Sequence, residues 1–241
     1  MIGVDDALRT ILTEIEPLDA VSCGLTDALG AALASDLKAR RNLPPWDNSA
    51  MDGYAVRCAD LQGQAPIPMR VAEEVPAGDG TQRLLKAGTV HRIFTGAPMP
   101  SGADAVVLQE DAHRSGDMVR FDGIPSLGQH IRRAGSDVTA GTVMLEAGRT
   151  ITPGDISLLA SQGYAQVDCI RRARVKVLST GNELVGPTAQ PLLHGQIIDG
   201  NSYALEGAVS STGAIPIRLD SVGDTAGQVQ TAIERATDVD V

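Results

Sequence analysis

The chain has 241 residues, with 30 acidic against 20 basic side chains and a formal net charge of −10. At roughly 100–200 residues per domain, this length predicts one or two domains plus a fragment, enough to bury a core without disulfides. The negative charge and the few aromatic side chains (one Trp, three Tyr, two Phe) disfavour nucleic-acid binding, which needs a basic face and stacking platforms.

The cysteines and the N-terminus argue against further classes of protein. Cys23, Cys58 and Cys169 are odd in number, far apart and in no C-x-x-C pair, which disfavours a disulfide scaffold or a cysteine zinc site. The first ten residues carry acids where a signal peptide has basic residues, and no apolar run approaches the roughly 18 residues of a membrane span. The sequence therefore predicts a cytoplasmic protein without membrane contact.

The first 43 residues are predicted to contain two helices. Pro17 ends a helix whose apolar side chains recur at helical spacing on one stripe: Val4, Ala7, Leu8, Ile11, Leu12 and Ile15. A second, short helix is predicted over residues 26–34, with Asp27 near its positive N-terminus. The stripe on the first helix is expected to dock on another surface.

Prolines and glycines then punctuate the chain from residue 44 to residue 135. Short β-like runs lie between them, at residues 67–71, 90–94, 105–108 and 118–121. This pattern predicts a small, mostly antiparallel β domain. Helical character returns at Thr152, Pro153 and Asp155, which predict a helix start that Gly163 later ends.

The last seventy residues alternate between strand and helix patterns. The predicted elements are a strand at 174–179, a helix at 202–212, a strand at 215–219, a helix at 225–236 and the beginning of a strand at 238–241. Such alternation predicts a parallel sheet with right-handed crossovers, which binds ligands beyond the carboxyl ends of its strands. Because the third strand has only begun, we expect the chain to be the front part of a longer protein.

Chemistry is expected in polar, glycine-rich loops. A Walker loop, a dinucleotide fingerprint, a histidine zinc spacing and a serine elbow are all missing from the sequence. Loop carboxylates remain as candidates, and their hard oxygens suit Mg²⁺ with open water positions: Asp52, Asp137, Glu183, Asp199 and Asp224. Each of them, taken singly, is more often a solvated loop residue. The turn at 179–184 and the helix opening at 195–202 lie at the ligand-binding edge of the predicted sheet, where free helix N–H groups favour an anion.

Three arginine pairs remain open to two interpretations. Arg40-Arg41, Arg132-Arg133 and Arg171-Arg172, the last with Arg174 next to it, present guanidinium forks that suit phosphate or carboxylate. The alternative is solvated surface at joints between elements, which is the more frequent case for any one pair.

Several motifs carry a resemblance to a known family. PWDNSAMDGYAVR at 45–57, IFTGAP at 93–98, ADAVV at 103–107, STGNEL at 179–184 and GQIIDGN at 195–201 follow one another along the chain. In this order they closely resemble the molybdopterin molybdenumtransferase family, which includes bacterial MoeA and the C-terminal domain of gephyrin. The resemblance covers essentially the whole chain, and DNSAMDGYA is too long and specific for chance.

The resemblance implies a multidomain α/β and β fold. A discontinuous α/β first domain would comprise residues 1–43 and 140–173, and a β-rich second domain would be inserted at 44–139. Residues 174–241 would form part of a three-layer αβα molybdopterin-binding third domain. The remainder of that domain and a fourth, β-barrel domain are expected to follow in the family, so we expect the 241-residue form to be inactive.

The resemblance also implies a reaction in molybdenum cofactor biosynthesis, in which molybdate is inserted into adenylylated molybdopterin with Mg²⁺ and AMP is released. Motif by motif, the implied catalytic residues are Asp52, Thr95, Asp137 and Glu183. The implied molybdopterin contacts are Ser179, Thr180, Gly181, Asp199, Asn201 and Asp224. The implied Mg²⁺ ligands are Asp52, Glu183 and Asp224. A homodimer is implied, in which the two groups are free to come from different subunits, with molybdopterin adenylyltransferase as a further partner.

Three positions depart from the family pattern. Asn182 stands where the family commonly has Asp, Ser136 where it has Glu, and Ile198 where it has an aromatic residue, which bears on metal affinity more than on fold. A non-catalytic molybdopterin-binding or scaffold module of the same fold is therefore the alternative function. Retention of the four implied catalytic residues favours the enzyme, whereas Asn182 and Ser136 favour the module.

Overall fold

The structure, a computed structural model, describes residues 2–13, 15–63 and 65–241. The chain forms two compact units. Unit 1 comprises the chain up to Asp36 together with Leu145–Val241, and unit 2 is Leu37–Met144, inserted between those two segments. The three-domain division expected from the resemblance is finer than these two units and stays a prediction.

The described elements follow one another in a mixed α/β order. The helices are α1 (Val4–Thr13), α2 (Pro153–Ser161), α3 (Asn201–Ser211) and α4 (Ala226–Glu234). The strands are β1 (Ala20–Gly24), β2 (Leu37–Lys38), β3 (Asn48–Ser49), β4 (Gly53–Val56), β5 (Ile67–Val75), β6 (Thr89–Ile93), β7 (Ala105–Leu108), β8 (Ala112–Ser115), β9 (Met118–Phe121), β10 (Ile131–Arg132), β11 (Val143–Leu145), β12 (Gln166–Ile170), β13 (Arg174–Val177), β14 (Leu184–Val185), β15 (Ile197–Ile198) and β16 (Ile215–Arg218).

Unit 2 is organised around a six-stranded sheet in the order β7-β4-β6-β5-β9-β8. Every neighbouring pair is antiparallel except β5 and β6, which confirms the predicted, mostly antiparallel β unit. The predicted strands at 105–108 and 118–121 match β7 and β9, and β5 continues beyond the predicted run to Val75. β4 was not predicted, because its residues were interpreted as part of a turn-rich loop.

The strand β4 is buried on both faces. Tyr54 and Val56 pack into a core cluster with Phe121 on one face, whereas Ala55 packs with Ile93 on the other. Gly53 begins the strand, and a Cβ atom there would lie 2.0 Å from the carbonyl oxygen of its partner strand β7, at Val107. Only glycine permits so close an approach of two backbones.

Unit 1 contains a small antiparallel sheet in which β12 is the middle strand. β1 pairs with one edge of β12, in a register that places Ala20 opposite Ile170 and Gly24 opposite Gln166. The segment 32–34 pairs with the other edge, where Ala34 N–H donates to Asp168 (2.9 Å). The helix predicted over residues 26–34 is therefore wrong. The chain turns at 25–30, and its following residues satisfy their backbone groups on β12, so tertiary pairing overrides a weak helical propensity.

The helix α2 begins as its sequence predicts. Thr152 Oγ1 accepts a hydrogen bond from Asp155 N–H, and the Asp155 carboxylate accepts one from Thr152 N–H (2.9 Å), which completes a capping box. Pro153 occupies the first turn, and Gly163 follows the helix with a φ of 76°.

The C-terminal part of unit 1 shows the predicted parallel pairing. β13 and β16 run parallel, with Arg174 opposite Ile215, and α3 connects them. On the other edge of β13, Asp240 N–H donates to Arg174 (2.9 Å) and Lys176 N–H donates to Val241 (2.8 Å). The last residues therefore add a third parallel segment to this sheet, although they form no assigned strand.

The apolar stripe of α1 is not covered within the described chain. No residue of the helix is buried, and Ile11 and Leu12 are more than half exposed. Thr13 ends the described helix, Ile15 lies beyond it, and Glu14 of the predicted helix lies outside the described residues. Among the described ranges, every helix is too short or too polar to span a bilayer.

The close approach at Gly53 makes a testable prediction about stability. We expect Gly53→Ala to lower the free energy of unfolding by about 3 kcal/mol or more, because the added methyl group forces β4 away from β7. Gly123→Ala is the matched control, since a Cβ atom at Gly123 meets nothing within 4 Å. Urea denaturation of the three proteins measures the effect, and equal stability of the two variants would contradict it.

Candidate functional site

Asp52 and Thr95 are brought together by the register of β4 and β6. Gly53 at the start of β4 lies opposite Ile93 at the end of β6, so the residues just outside the two strands are neighbours. Asp52 Oδ1 accepts hydrogen bonds from the backbone N–H of Thr95 (2.8 Å) and from its hydroxyl (2.8 Å). The two predicted residues thus form one site.

The surroundings of Asp52 keep its carboxyl group ionised. The backbone N–H of Thr95 and then its hydroxyl lower the pKa of Asp52, and the positive charge of Arg92 adds to this effect. Arg92 is held in place because it donates to the carbonyl of Gly53 (3.0 Å) and lies over the ring of Phe94 (4.9 Å to the centroid). Asp52 Oδ2 receives no hydrogen bond from the described residues, so one carboxylate oxygen is free to accept a ligand.

Asp137 occupies a separate loop of unit 2. Its Oδ2 accepts from the Arg132 guanidinium (2.5 Å), and its Oδ1 accepts from the Ser136 hydroxyl (3.0 Å). The strand pair β3–β10 positions this loop, since Arg132 lies opposite Asn48 of the DNSAMDGYA motif. The structure therefore gives Asp137 an ion-pair partner that the sequence analysis did not assign.

Asp47, which the sequence analysis did not single out, connects two segments of the candidate site. Its carboxylate accepts from the Ala134 backbone N–H (2.8 Å) and from Arg133 (2.6 Å), and these contacts lower its pKa in that order. Asp47 thereby ties the loop that carries Asp137 to the segment that leads to Asp52. The adjacent Arg-Arg pair was a signal of a carboxylate partner, but the sequence could not identify which carboxylate.

The arginines at 132–133 and 171–174 bond to acceptors of the same chain, although several of their side chains are about half exposed. The observed acceptors are Asp137 for Arg132, Asp47 for Arg133, Asp240 for Arg171, the Leu29 carbonyl for Arg172 and Asp238 for Arg174. These contacts favour the interpretation that the arginines join segments of the chain over the one in which they bind phosphate.

The carboxyl ends of the parallel strands form a second candidate site in unit 1. The turn after β13 and the loop after β16 are hydrogen-bonded to one another, since Val222 N–H donates to Ser179 (3.1 Å) and Gly181 N–H donates to Val222 (2.9 Å). Asp224 Oδ2 accepts from the Asn182 backbone N–H (3.2 Å). The expected juxtaposition of residues 179–183 with Asp224 is therefore present.

Two glycines allow polar side chains to converge at this edge. A Cβ atom at Gly223 would lie 2.6 Å from Asn182 Oδ1 and 2.5 Å from Gln228 Oε1. The Glu183 carboxylate lies against Gly181, where a Cβ atom would be 2.9 Å from Oε2. The edge borders an open cleft of about 680 Å³ that Gly223 and Gln228 help to line.

Asp199 has a structural function at the start of α3. Its carboxylate is 8% exposed and accepts from the Ser202 backbone N–H (3.1 Å), and this contact is the main reason that its pKa is lowered. The Ser179 hydroxyl and the Asn201 backbone N–H contribute further to the low pKa. Asp199 therefore occupies N–H groups that the sequence analysis expected to hold an anion, and its contact with molybdopterin stays a prediction.

A metal ion bound to the described residues needs ligands in addition to protein side chains. Within the part of the chain that the structure describes, no three His, Cys, Asp or Glu side chains are grouped so that they could hold a metal ion. Mg²⁺ is commonly held by one or two carboxylates, with waters and substrate phosphates as the other ligands. Glu183 and Asp224, both in unit 1, have carboxylate oxygens of the kind that such a Mg²⁺ site needs. Asp52, the third predicted Mg²⁺ ligand, belongs to unit 2.

A cavity of about 330 Å³ in unit 2 lies beside Trp46, Pro98 and Met99. Arg83, which also lines it, is already bonded to Asp79 (2.7 Å) and Glu73 (3.0 Å). The charged groups of this cavity are therefore satisfied by one another, and it lacks a free group comparable to Asp52 Oδ2.

The comparisons with known proteins agree with this geometry. A family model described as the MoeA N-terminal region (domain I and II) matches residues 2–163. "Molybdopterin molybdenumtransferase 2" of Mycobacterium tuberculosis (strain CDC 1551 / Oshkosh) is 40% identical over all of this chain and 60% of its own length. "Molybdopterin molybdenumtransferase" of Nostoc sp. is 38% identical over 98% of this chain and 56% of its own. The chain thus spans little more than half the length of these relatives.

A solved structure supports the same relationship. The crystal structure of the molybdopterin biosynthesis moeA protein from Pyrococcus horikoshii OT3 matches 99% of this chain and 64% of its own, with a TM-score of 0.91 and 31% identity. Fold and site thus define a mixed α/β protein with an inserted antiparallel sheet and a parallel-sheet edge. Within that class, the family model covers more than half of the chain, and the chain belongs to the MoeA family.

The hydrogen bonds of Thr95 make a testable prediction about charge. We expect Thr95→Val to raise the pKa of Asp52, because the hydroxyl donor is lost, but to leave it below the ordinary value, because the stronger contribution of the backbone N–H remains. Thr95→Ser keeps the hydroxyl and is expected to keep the low pKa. Carboxyl NMR titration measures all three proteins, and an unchanged pKa in Thr95→Val would contradict the assignment.

Proposed function

We propose that this chain acts in molybdenum cofactor biosynthesis as a molybdopterin molybdenumtransferase. The reaction inserts molybdate into adenylylated molybdopterin, depends on Mg²⁺ and releases AMP. The names of the relatives support the substrate class, and the free cysteines of the structure agree with a cytoplasmic location. Molybdopterin adenylyltransferase is proposed as a partner, because its reaction would supply the adenylylated substrate.

The observation that carries the proposal is the state of Asp52. Its carboxylate is ionised and oriented by Thr95, yet one oxygen remains without a hydrogen bond from the described residues. Such a group is prepared to orient a metal-bound water without first losing an internal partner. Asp155, whose carboxylate caps α2, has both of its oxygens engaged in hydrogen bonds.

The edge of the parallel sheet supplies the complementary contacts. We propose that Glu183 and Asp224 hold Mg²⁺ together with oxygens of the substrate, and that Ser179, Thr180, Gly181 and Asn201 contact molybdopterin. When bound, Mg²⁺ would neutralise the phosphate charge of the adenylylated substrate. The chain's own contribution is orientation and preorganised charge, since the loops are already hydrogen-bonded to one another.

The alternative, a non-catalytic binding or scaffold module, has observations in its favour. Asn182 is neutral where the family commonly has Asp, and the Asp137 carboxylate is ion-paired with Arg132. Both features reduce the free negative charge that is available for a metal. The alternative predicts binding of molybdopterin without molybdenum insertion, so a measurement of insertion separates the two functions.

Asp52 provides the decisive variant. In the natural protein, we expect Asp52→Asn to abolish molybdenum insertion and AMP release, because the neutral amide lacks the negative charge that orients a metal-bound water, while stability changes by less than about 1 kcal/mol. Asp117→Asn, at an exposed position of the same unit, is the matched control and should retain the rate. An insertion rate in Asp52→Asn equal to that of the wild-type protein would refute the role of Asp52.

The scaffold alternative is tested on the unmodified protein. Wild-type protein that binds molybdopterin without insertion of molybdenum would establish this alternative.

We further propose a homodimer in which α1 takes part. Its apolar stripe is exposed along the whole described helix, with Val4 at 85% and Leu8 at 53% exposure. Burial of such a stripe against a second copy would remove several large apolar side chains from water, which favours association.

The homodimer proposal is tested by the mass of the protein in solution. We expect wild-type protein to sediment as a dimer and Leu8→Asp/Ile11→Asp to sediment as a monomer, because two buried charges would oppose association. Arg9→Gln, on the polar side of the same helix, should remain dimeric. A monomeric wild-type protein at micromolar concentration would overturn the proposal.

A further inference from the structure

Two of the three cysteines lie on one face of the small sheet in unit 1. In the β1–β12 register, Cys23 is directly opposite Val167, and Cys169 is two residues further along the same strand. Side chains at positions i and i+2 of a strand share a face, so Cys23 and Cys169 are diagonal neighbours on the face that contains the buried Val167.

The two thiols differ in their access to solvent. Cys169 is fully buried in the middle strand, whereas Cys23 is partly exposed near the end of β1. Burial, and after it the neighbouring Cys23 thiol, raise the pKa of the Cys169 thiol to about 11. The third cysteine is placed elsewhere, in unit 2, where the Cys58 thiol donates to the Pro125 carbonyl (3.6 Å).

We propose that Cys23 and Cys169 form a reversible disulfide when the protein meets a peroxide, and that this thiol pair is a redox-modification site of unit 1. Diagonal neighbours have Cα atoms about 7–8 Å apart, slightly beyond the roughly 6.8 Å that a relaxed disulfide spans. A small movement at the end of β1, where Gly24 ends the strand, closes the difference. The remaining strain makes the disulfide easier to reduce than a structural one.

The chemistry is balanced by one equivalent of hydrogen peroxide. The sulfur of Cys23, which the oxidant reaches first, attacks the O–O bond, so that an S–O bond forms and one water leaves. The sulfur of Cys169 then attacks the Cys23 sulfur, so that the S–S bond forms, the S–O bond breaks and a second water leaves with the Cys169 proton. Two thiols lose two electrons, and the peroxide is reduced to two waters.

The disulfide would affect the whole chain because of where its ends lie. Cys23 precedes unit 2 in the chain and Cys169 follows it, so the bond closes a loop that contains all of Leu37–Met144. Closure of a long loop restricts the unfolded chain and is expected to raise the unfolding temperature by roughly 10 °C, less whatever the strain removes.

The experiment treats the native protein with graded hydrogen peroxide and then maps its thiols by mass spectrometry. We expect a cross-linked pair of peptides that contain Cys23 and Cys169, a free Cys58, a higher unfolding temperature and full reversal by dithiothreitol. A product in which Cys23 accumulates as a sulfenic acid trapped by dimedone, or one cross-linked through Cys58, would overturn the proposal. So would a cross-link that leaves the unfolding temperature unchanged or lower.

Matched variants assign the two steps to the two sulfurs. Cys58→Ser should form the same cross-link as the wild-type protein. Cys169→Ser, or Cys169→Ala if the buried hydroxyl impairs folding, should stop at the Cys23 sulfenic acid. Cys23→Ser should leave Cys169 as a free thiol, because its side chain is buried. Equal oxidation of Cys169 with and without Cys23 would contradict the assigned order.

Discussion

The close contact of β4 with its two neighbours is the constraint on which the site in unit 2 depends. Gly53 permits β4 to lie against the Val107 carbonyl, and the antiparallel register with β6 then places Asp52 beside Thr95. Because β4 is buried on both faces, this register cannot slip by one residue without exchange of its two core faces. The orientation of the Asp52 carboxylate is thus a consequence of core packing several residues away.

In unit 1, polar side chains are positioned by loops at the edge of a parallel sheet and not by the register of a buried strand. Its parallel strands end at one edge, and the loops that follow them are joined by backbone hydrogen bonds between Ser179, Gly181 and Val222. Glycines at 181 and 223 leave room for the side chains of Glu183, Asn182 and Gln228. Asp199, which caps α3, also interacts with the Ser179 hydroxyl in this turn. Polar groups are therefore concentrated at this edge, on loops that are hydrogen-bonded to one another.

The acidic residues of this chain differ in how much of their negative charge is neutralised by neighbouring groups. Many carboxylates are engaged by arginine, as Asp47 is by Arg133 and Asp240 is by Arg171, and these contacts hold loops and termini in place. Such a carboxylate has little free charge to offer a cation. Asp52 differs, since its partners are neutral N–H and O–H donors and its second oxygen is open. Asp52 is therefore distinguished from the ion-paired carboxylates by its hydrogen-bond partners and not by its residue type.

The sequence by itself determined the kind and order of about half of the helices and strands, among them α2 with its capping box, the short strands β7 and β9, and the alternation of strand and helix after residue 174. It also identified the loops that carry the candidate residues. Those features depend on neighbours within a few positions, and local patterning reports them well. Only the tertiary structure decided that residues 32–34 pair with β12 instead of forming a helix, that Gly53–Val56 is a central strand, and that Asp47 and Asp137 are bound by Arg133 and Arg132. Each of these outcomes joins groups far apart in the chain, and the free energy that selects them comes from backbone pairing and charge contacts that exist only after the chain has folded.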